Sequence, residues 1–100
     1  MGLTHWAFLY TAAGTDPAGT RTEVATESST TILVGMPQAS DGVEIARRLA
    51  DEGVQLIELC GGFGPVWTAR IIEATDGRVP IGAVGYGPEA VEAVQAIFAA

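Results

Sequence analysis

Glu58 and Cys60 lie two positions apart at the end of an apolar run, and the chain then turns through Gly61-Gly62-Phe63-Gly64-Pro65. A positioned carboxylate can move a proton, and a thiol can act as a nucleophile or a second acid/base group. Glycine-rich turns that open helices present backbone N–H groups, which attract anionic or carbonyl oxygens. In an extended strand, alternation places Glu58 and Cys60 on one face, with Cβ atoms about 7 Å apart. That spacing admits a substrate atom between them but not a direct hydrogen bond of about 3 Å. The equipment suits proton-transfer chemistry without a cofactor, of the isomerase, cyclase or lyase type. Glu58 and Cys60 are the candidate catalytic residues.

A second turn repeats the form of the first. Gly62-Phe63-Gly64-Pro65 and Gly85-Tyr86-Gly87-Pro88 both read glycine, aromatic, glycine, proline. Gly35-Met36-Pro37 is a degenerate third copy. The candidate ligand-binding residues are therefore Gly61, Gly62, Phe63, Gly64, Gly85, Tyr86 and Gly87. Tyr10 joins them as a pocket wall, and Arg70 as a partner for an acidic ligand or for Glu58. Each group also has a purely structural reading. Glycine and proline make good strand-to-helix turns whether or not a ligand is present. A lone cysteine is commonly a small buried hydrophobe. Glu58 could satisfy itself on Arg70, on a backbone amide or on a neighbouring chain. The only histidine, His5, begins the first strand; in a parallel sheet it lies at the opposite end from Cys60, which disfavours a Cys–His pair.

The elements that position these residues follow from periodicity. An apolar run within residues 4–11 predicts a first strand. Gly14, Asp16, Pro17 and Gly19 mark a loop. Residues 21–27 alternate weakly, as an edge strand does, and Glu27-Ser28-Ser29 would turn the chain into a β-branched strand at residues 30–36. Ser40 is a candidate N-cap. Val43, Ala46, Leu49 and Ala50 recur at helical spacing, Glu44 and Arg48 form an i,i+4 pair, and Gly53 stops the helix. Strands follow at 54–60 and 79–85. Helices start at Pro65 and Pro88, and Val91, Val94, Ile97 and Phe98 form the expected buried stripe of the last one.

From residue 30 onward strand and helix alternate, with short connections. This predicts one α/β domain over residues 1–100: a four- or five-stranded, mostly parallel sheet with three helices, built from consecutive βα units in a half-barrel-like or flavodoxin-like arrangement. Three helices cannot cover both faces of such a sheet. With 48% apolar residues, the incomplete cover predicts a homodimer.

Composition narrows the partners. The chain has 100 residues, net charge −7 and five Lys+Arg, all of them arginine. The absence of lysine excludes a Schiff-base lysine and a phosphate-loop lysine. Without a basic cluster no nucleic acid partner is expected, and an acidic chain is repelled by anionic membranes. One histidine and one cysteine leave no zinc spacing, so no metal is expected. The lone thiol, the lack of a basic segment at the N-terminus and the lack of a long apolar run predict a cytoplasmic protein. The expected partner is a small molecule, anionic by the nature of the turns.

Residues 54–65, Val-Gln-Leu-Ile-Glu-Leu-Cys-Gly-Gly-Phe-Gly-Pro, followed by Thr68-Ala69-Arg70-Ile71, resemble the signature of a family of small bacterial α/β proteins known only as a domain of unknown function. The resemblance takes in Ala7-Phe8-Leu9-Tyr10 and Val34-Gly35-Met36-Pro37 and so covers most of the chain. It implies a shared fold and brings no reaction. The two glycine turns also resemble those of β/α-barrel enzymes that hold phosphate groups, an analogy of fold alone.

Overall fold

A computed structural model describes residues 2–99. Five strands form one sheet in the order β2-β3-β1-β4-β5. They are β1 (His5–Thr11), β2 (Thr20–Ala25), β3 (Thr30–Met36), β4 (Ile57–Leu59) and β5 (Ile81–Ala83). β1 runs parallel to both β3 and β4, and β4 parallel to β5. Only β2 is antiparallel, paired to β3. The three helices are α1 (Gly42–Asp51), α2 (Gly64–Ala74) and α3 (Val91–Phe98). The sheet is mixed and mostly parallel, of the α/β class. Among the described residues no helix is long and apolar enough to cross a membrane.

The two short strands are shorter than their sequence pattern predicts. Val54 is buried but outside the ladder, where its N–H donates to the Leu49 carbonyl at 3.3 Å. Gln55 keeps one backbone bond to β1, its N–H donating to the His5 carbonyl at 2.8 Å, yet lies outside β4. Its Oε1 accepts the N–H groups of Thr4 and His5 at 2.7 and 2.9 Å, and its Nε2 donates to the Gly2 carbonyl. The hairpin closes one residue earlier than expected, where the Thr26 N–H donates to the Ser29 carbonyl.

α1 starts differently from the Ser40 expectation. A 3-10 turn over Ala39–Asp41 precedes it, and the Gln38 N–H donates to Asp41 Oδ2 at 3.0 Å. The i,i+4 pair of Glu44 and Arg48 is replaced. Arg47 takes Glu44 at 3.2 Å, because Arg48 donates to the Ala18 carbonyl at 2.7 Å and ties down the loop before β2.

The core lies on one side of the sheet only. Ala7, Leu9, Ile32, Val34, Ile57 and Leu59 face it from the strands. Ile45, Ala46 and Leu49 of α1, with Phe63 and Ile71 at α2, close it from above. At Gly42 the helices come so close that an added Cβ would lie 2.7 Å from the Phe63 ring and 3.1 Å from Ile71 Cδ1. The alternate residues Trp6, Phe8, Tyr10 and Leu33 point to the other side, where they are only partly covered.

α3 departs from expectation. Its apolar stripe is not buried: Val91, Ile97 and Phe98 are exposed, and Val94 is partly covered. The cause is position. α3 leaves from β5, an edge strand, and its closest packing is with the turn that precedes it, so no sheet face lies beneath it.

Candidate functional site

The strand order reverses its direction of growth at β1. β3 lies on one side of β1, and the chain then crosses to place β4 on the other. In open α/β sheets ligands bind outside the carboxyl ends of the strands at such a reversal. Here those ends are Thr11 of β1 and Cys60, just past β4.

A depression of about 470 Å³ opens there. Thr11, Cys60, Gly61 and Gly62 form its floor, and Tyr86, Val94 and Phe98 wall it from the second glycine turn and α3. The Thr11 hydroxyl and the Cys60 thiol are 3.9 Å apart, in weak hydrogen-bonding contact. An added Cβ at Gly62 would meet Thr11 Oγ1 at 2.5 Å and Cys60 Sγ at 3.4 Å, so the glycine keeps both polar groups open to the depression. The turn is held by the Phe63 N–H, which donates to the Cys60 carbonyl at 3.2 Å. Among the described residues the amides of Gly61 and Gly62 have no backbone acceptor. Among the described residues no Asp, Glu, Lys, Arg or His lines this depression.

A second, more open depression of about 610 Å³ lies between α2 and β5. Gly61 and Tyr86 border both, and the Tyr86 ring lies close to Gly61: a Cβ added there would be 3.3 Å from it. Gly64, Gly85, Thr68 and Ile72 line the second depression.

The structure thus brings together Cys60, Gly61, Gly62 and Tyr86, with Gly64 and Gly85 next to them. It does not bring Glu58 and Cys60 together. Glu58 is exposed and lines a separate hollow of about 180 Å³ with Gly82, Ala83 and Val84. Alternation holds only within a ladder, and β4 ends at Leu59. Beyond it the Cys60 thiol turns to Thr11 and packs on the core.

The remaining candidates lie elsewhere. Tyr10 is on the open sheet face, its ring over Gly35, its partner in register on β3. Phe63 is buried in the core. Arg70 stacks on Trp67, 4.6 Å from the ring centroid, and borders a shallow hollow beside Arg47 and Glu73. Gly87 precedes the turn that leads into α3 and lines neither depression. Among the described residues no group of three or more His, Cys, Asp or Glu could hold a metal ion.

Thr11, Val94 and Phe98 were not recognisable as site residues in the sequence. Thr11 is a polar residue ending an apolar strand, a common boundary signal. It gains meaning only once β1 is known to lie beside β4.

One protein-family model, described as "Family of unknown function (DUF6506)", matches residues 4–99. The chain belongs to this family. The match spans every strand and helix, so the family's shared unit includes both glycine turns and α3. No curated protein and no solved structure matches the chain.

Proposed function

We propose that this protein binds a small, mainly apolar molecule at the carboxyl edge between β1 and β4, through one anionic or carbonyl oxygen. The observation that carries this reading is the depression at the strand-order reversal, with two unpaired glycine amides and the Thr11 hydroxyl on its floor. The amides and hydroxyl supply donors for an oxygen. Val94, Phe98 and the Tyr86 ring supply apolar contact for the rest of the ligand. Among the described residues no carboxylate, imidazole or guanidinium lines the depression, so the site is better equipped to hold a ligand than to move its protons.

Calorimetric titration with a panel of small aliphatic and aromatic carboxylates and phosphate monoesters tests this. One class should bind, and Gly62→Val should weaken it at least tenfold, since the new side chain fills the space in front of Thr11. If the whole panel fails, or if affinity is unchanged in a folded Gly62→Val variant, the site is refuted.

A second reading is a proton-transfer enzyme of the isomerase, cyclase or lyase type. It is favoured by the exposed Glu58 carboxylate, which lines its own hollow with Gly82, Ala83 and Val84. On that reading Glu58→Gln lowers turnover roughly 100-fold. On the binding reading the same change leaves ligand affinity untouched.

A further inference from the structure

Two unpartnered surfaces of this chain match each other. The first is the open face of the sheet. Register places Val24 of β2, Leu33 of β3 and the β1 residues Trp6, Phe8 and Tyr10 on that face. None of them is buried, and Val24 is 51% exposed. Mostly parallel sheets are covered on both faces, and this one is covered on one. The second surface is α3, where Ile97 is 70% and Phe98 82% exposed. Val91 extends this exposed stripe, whereas Val94, between them on the helix, is partly covered at the depression beside Thr11 and Cys60.

We propose that a second copy of this chain docks here, with α3 of each copy lying on the open sheet face of the other. Dimensions favour this occupant. Three strands span about 14 Å, and Trp6 to Tyr10 about 13 Å along β1. An eight-residue helix is about 12 Å long and 10 Å wide. Charge favours it too. The chain carries −7, yet the patch from Val24 to Phe8 has no charged side chain, and Glu58, opposite Phe8 in register, marks its border. On α3 the one charged residue, Glu92, falls on the side of the helix away from the stripe. A covalently linked α3 could not serve its own face from where it lies, at the carboxyl edge beside Thr11 and Cys60. A twofold exchange makes the contact twice, removing on the order of 1,000 Å² from water, near the lower limit for a specific interface. Micromolar association is therefore expected.

Sedimentation velocity from 1 to 100 µM tests the assembly, and Trp6 fluorescence in a Trp67→Phe background tests the surface. The mass should fall from two chains to one on dilution, and Trp6 emission should move to the red over the same range. Ile97→Ala should raise the dissociation constant at least tenfold. Ile97 is exposed within one chain and lines neither depression, so neither folding nor the ligand site is disturbed. A single-chain mass at 100 µM overturns the proposal. So does a dimer whose Trp6 emission ignores dilution, or one that is indifferent to Ile97→Ala.

Discussion

The chain uses one tetrapeptide form twice and obtains two different structures from it. In Gly62-Phe63-Gly64-Pro65 the aromatic ring is driven into the core, 3% exposed, against Gly42. In Gly85-Tyr86-Gly87-Pro88 the ring is 65% exposed and leans over Gly61. The backbones differ as well. Gly64 has φ +69° at the first residue of α2, whereas Gly87 is extended, at φ −75° and ψ 170°. The flanking elements explain the difference. The first turn lies between β4, paired on both sides, and α2, packed on α1. The second lies between an edge strand and a helix with no buried residue. One turn is fixed by its surroundings, and the other is left free to meet something else.

Truncating the two rings should separate the turns most widely. Phe63→Ala removes a buried ring and leaves a cavity between α1 and α2, which costs about 3–5 kcal/mol. Tyr86→Ala removes an exposed ring and should change stability by less than about 0.5 kcal/mol. Urea unfolding of both variants measures the contrast. Similar losses for the two would mean that the second turn is also part of the core, and the comparison would fail.

The backbone contrast is smaller and sharper. At Gly64 an added Cβ meets nothing within 4 Å, so Gly64→Ala isolates the conformational term. Holding an alanine in left-handed geometry costs roughly 1–2 kcal/mol. At Gly87 the φ is ordinary, and the three heavy atoms nearest an added Cβ all belong to the carboxylate end of the Glu89 side chain, which can rotate aside. Gly87→Ala should therefore be near neutral. Equal effects at the two glycines in thermal unfolding would contradict the assigned backbones.

How much of this was legible in the sequence follows the same division. Strands and helices can be read where local pattern and tertiary context agree, as in residues 30–36, whose β-branched run is β3 from end to end. α3 was legible as a helix, because periodicity is local. Its burial was not, because that depends on what lies underneath. The candidate site was half legible. The glycine turns and Cys60 declare themselves by composition. Thr11 becomes their neighbour through strand order, which no local pattern encodes. Glu58 and Cys60 separated because alternation was extended one residue past the end of a ladder.

The weakest contrast concerns the covered side of the sheet, where a surface ion pair ties β2 to the end of α1. Arg21 donates to both carboxylate oxygens of Glu52, at 2.9 and 2.8 Å. The hydrogen bond from Arg21 holds the Glu52 carboxyl below its ordinary value, against the opposing effect of burial. The sign follows from linkage. A carboxyl whose folded pKa is lowered contributes stability above its unfolded pKa, and that contribution is lost as pH falls through the folded value. Both side chains are more than a third exposed, so water screens the pair and it is worth less than about 1 kcal/mol. Glu52→Gln should therefore lower stability slightly at pH 7 and by less at pH 3, because the wild-type contribution shrinks as the pH drops toward the folded value of the carboxyl. Urea midpoints at the two pH values measure this. A deficit that persists undiminished at pH 3 would show that Glu52 acts through packing on β2 rather than through its charge.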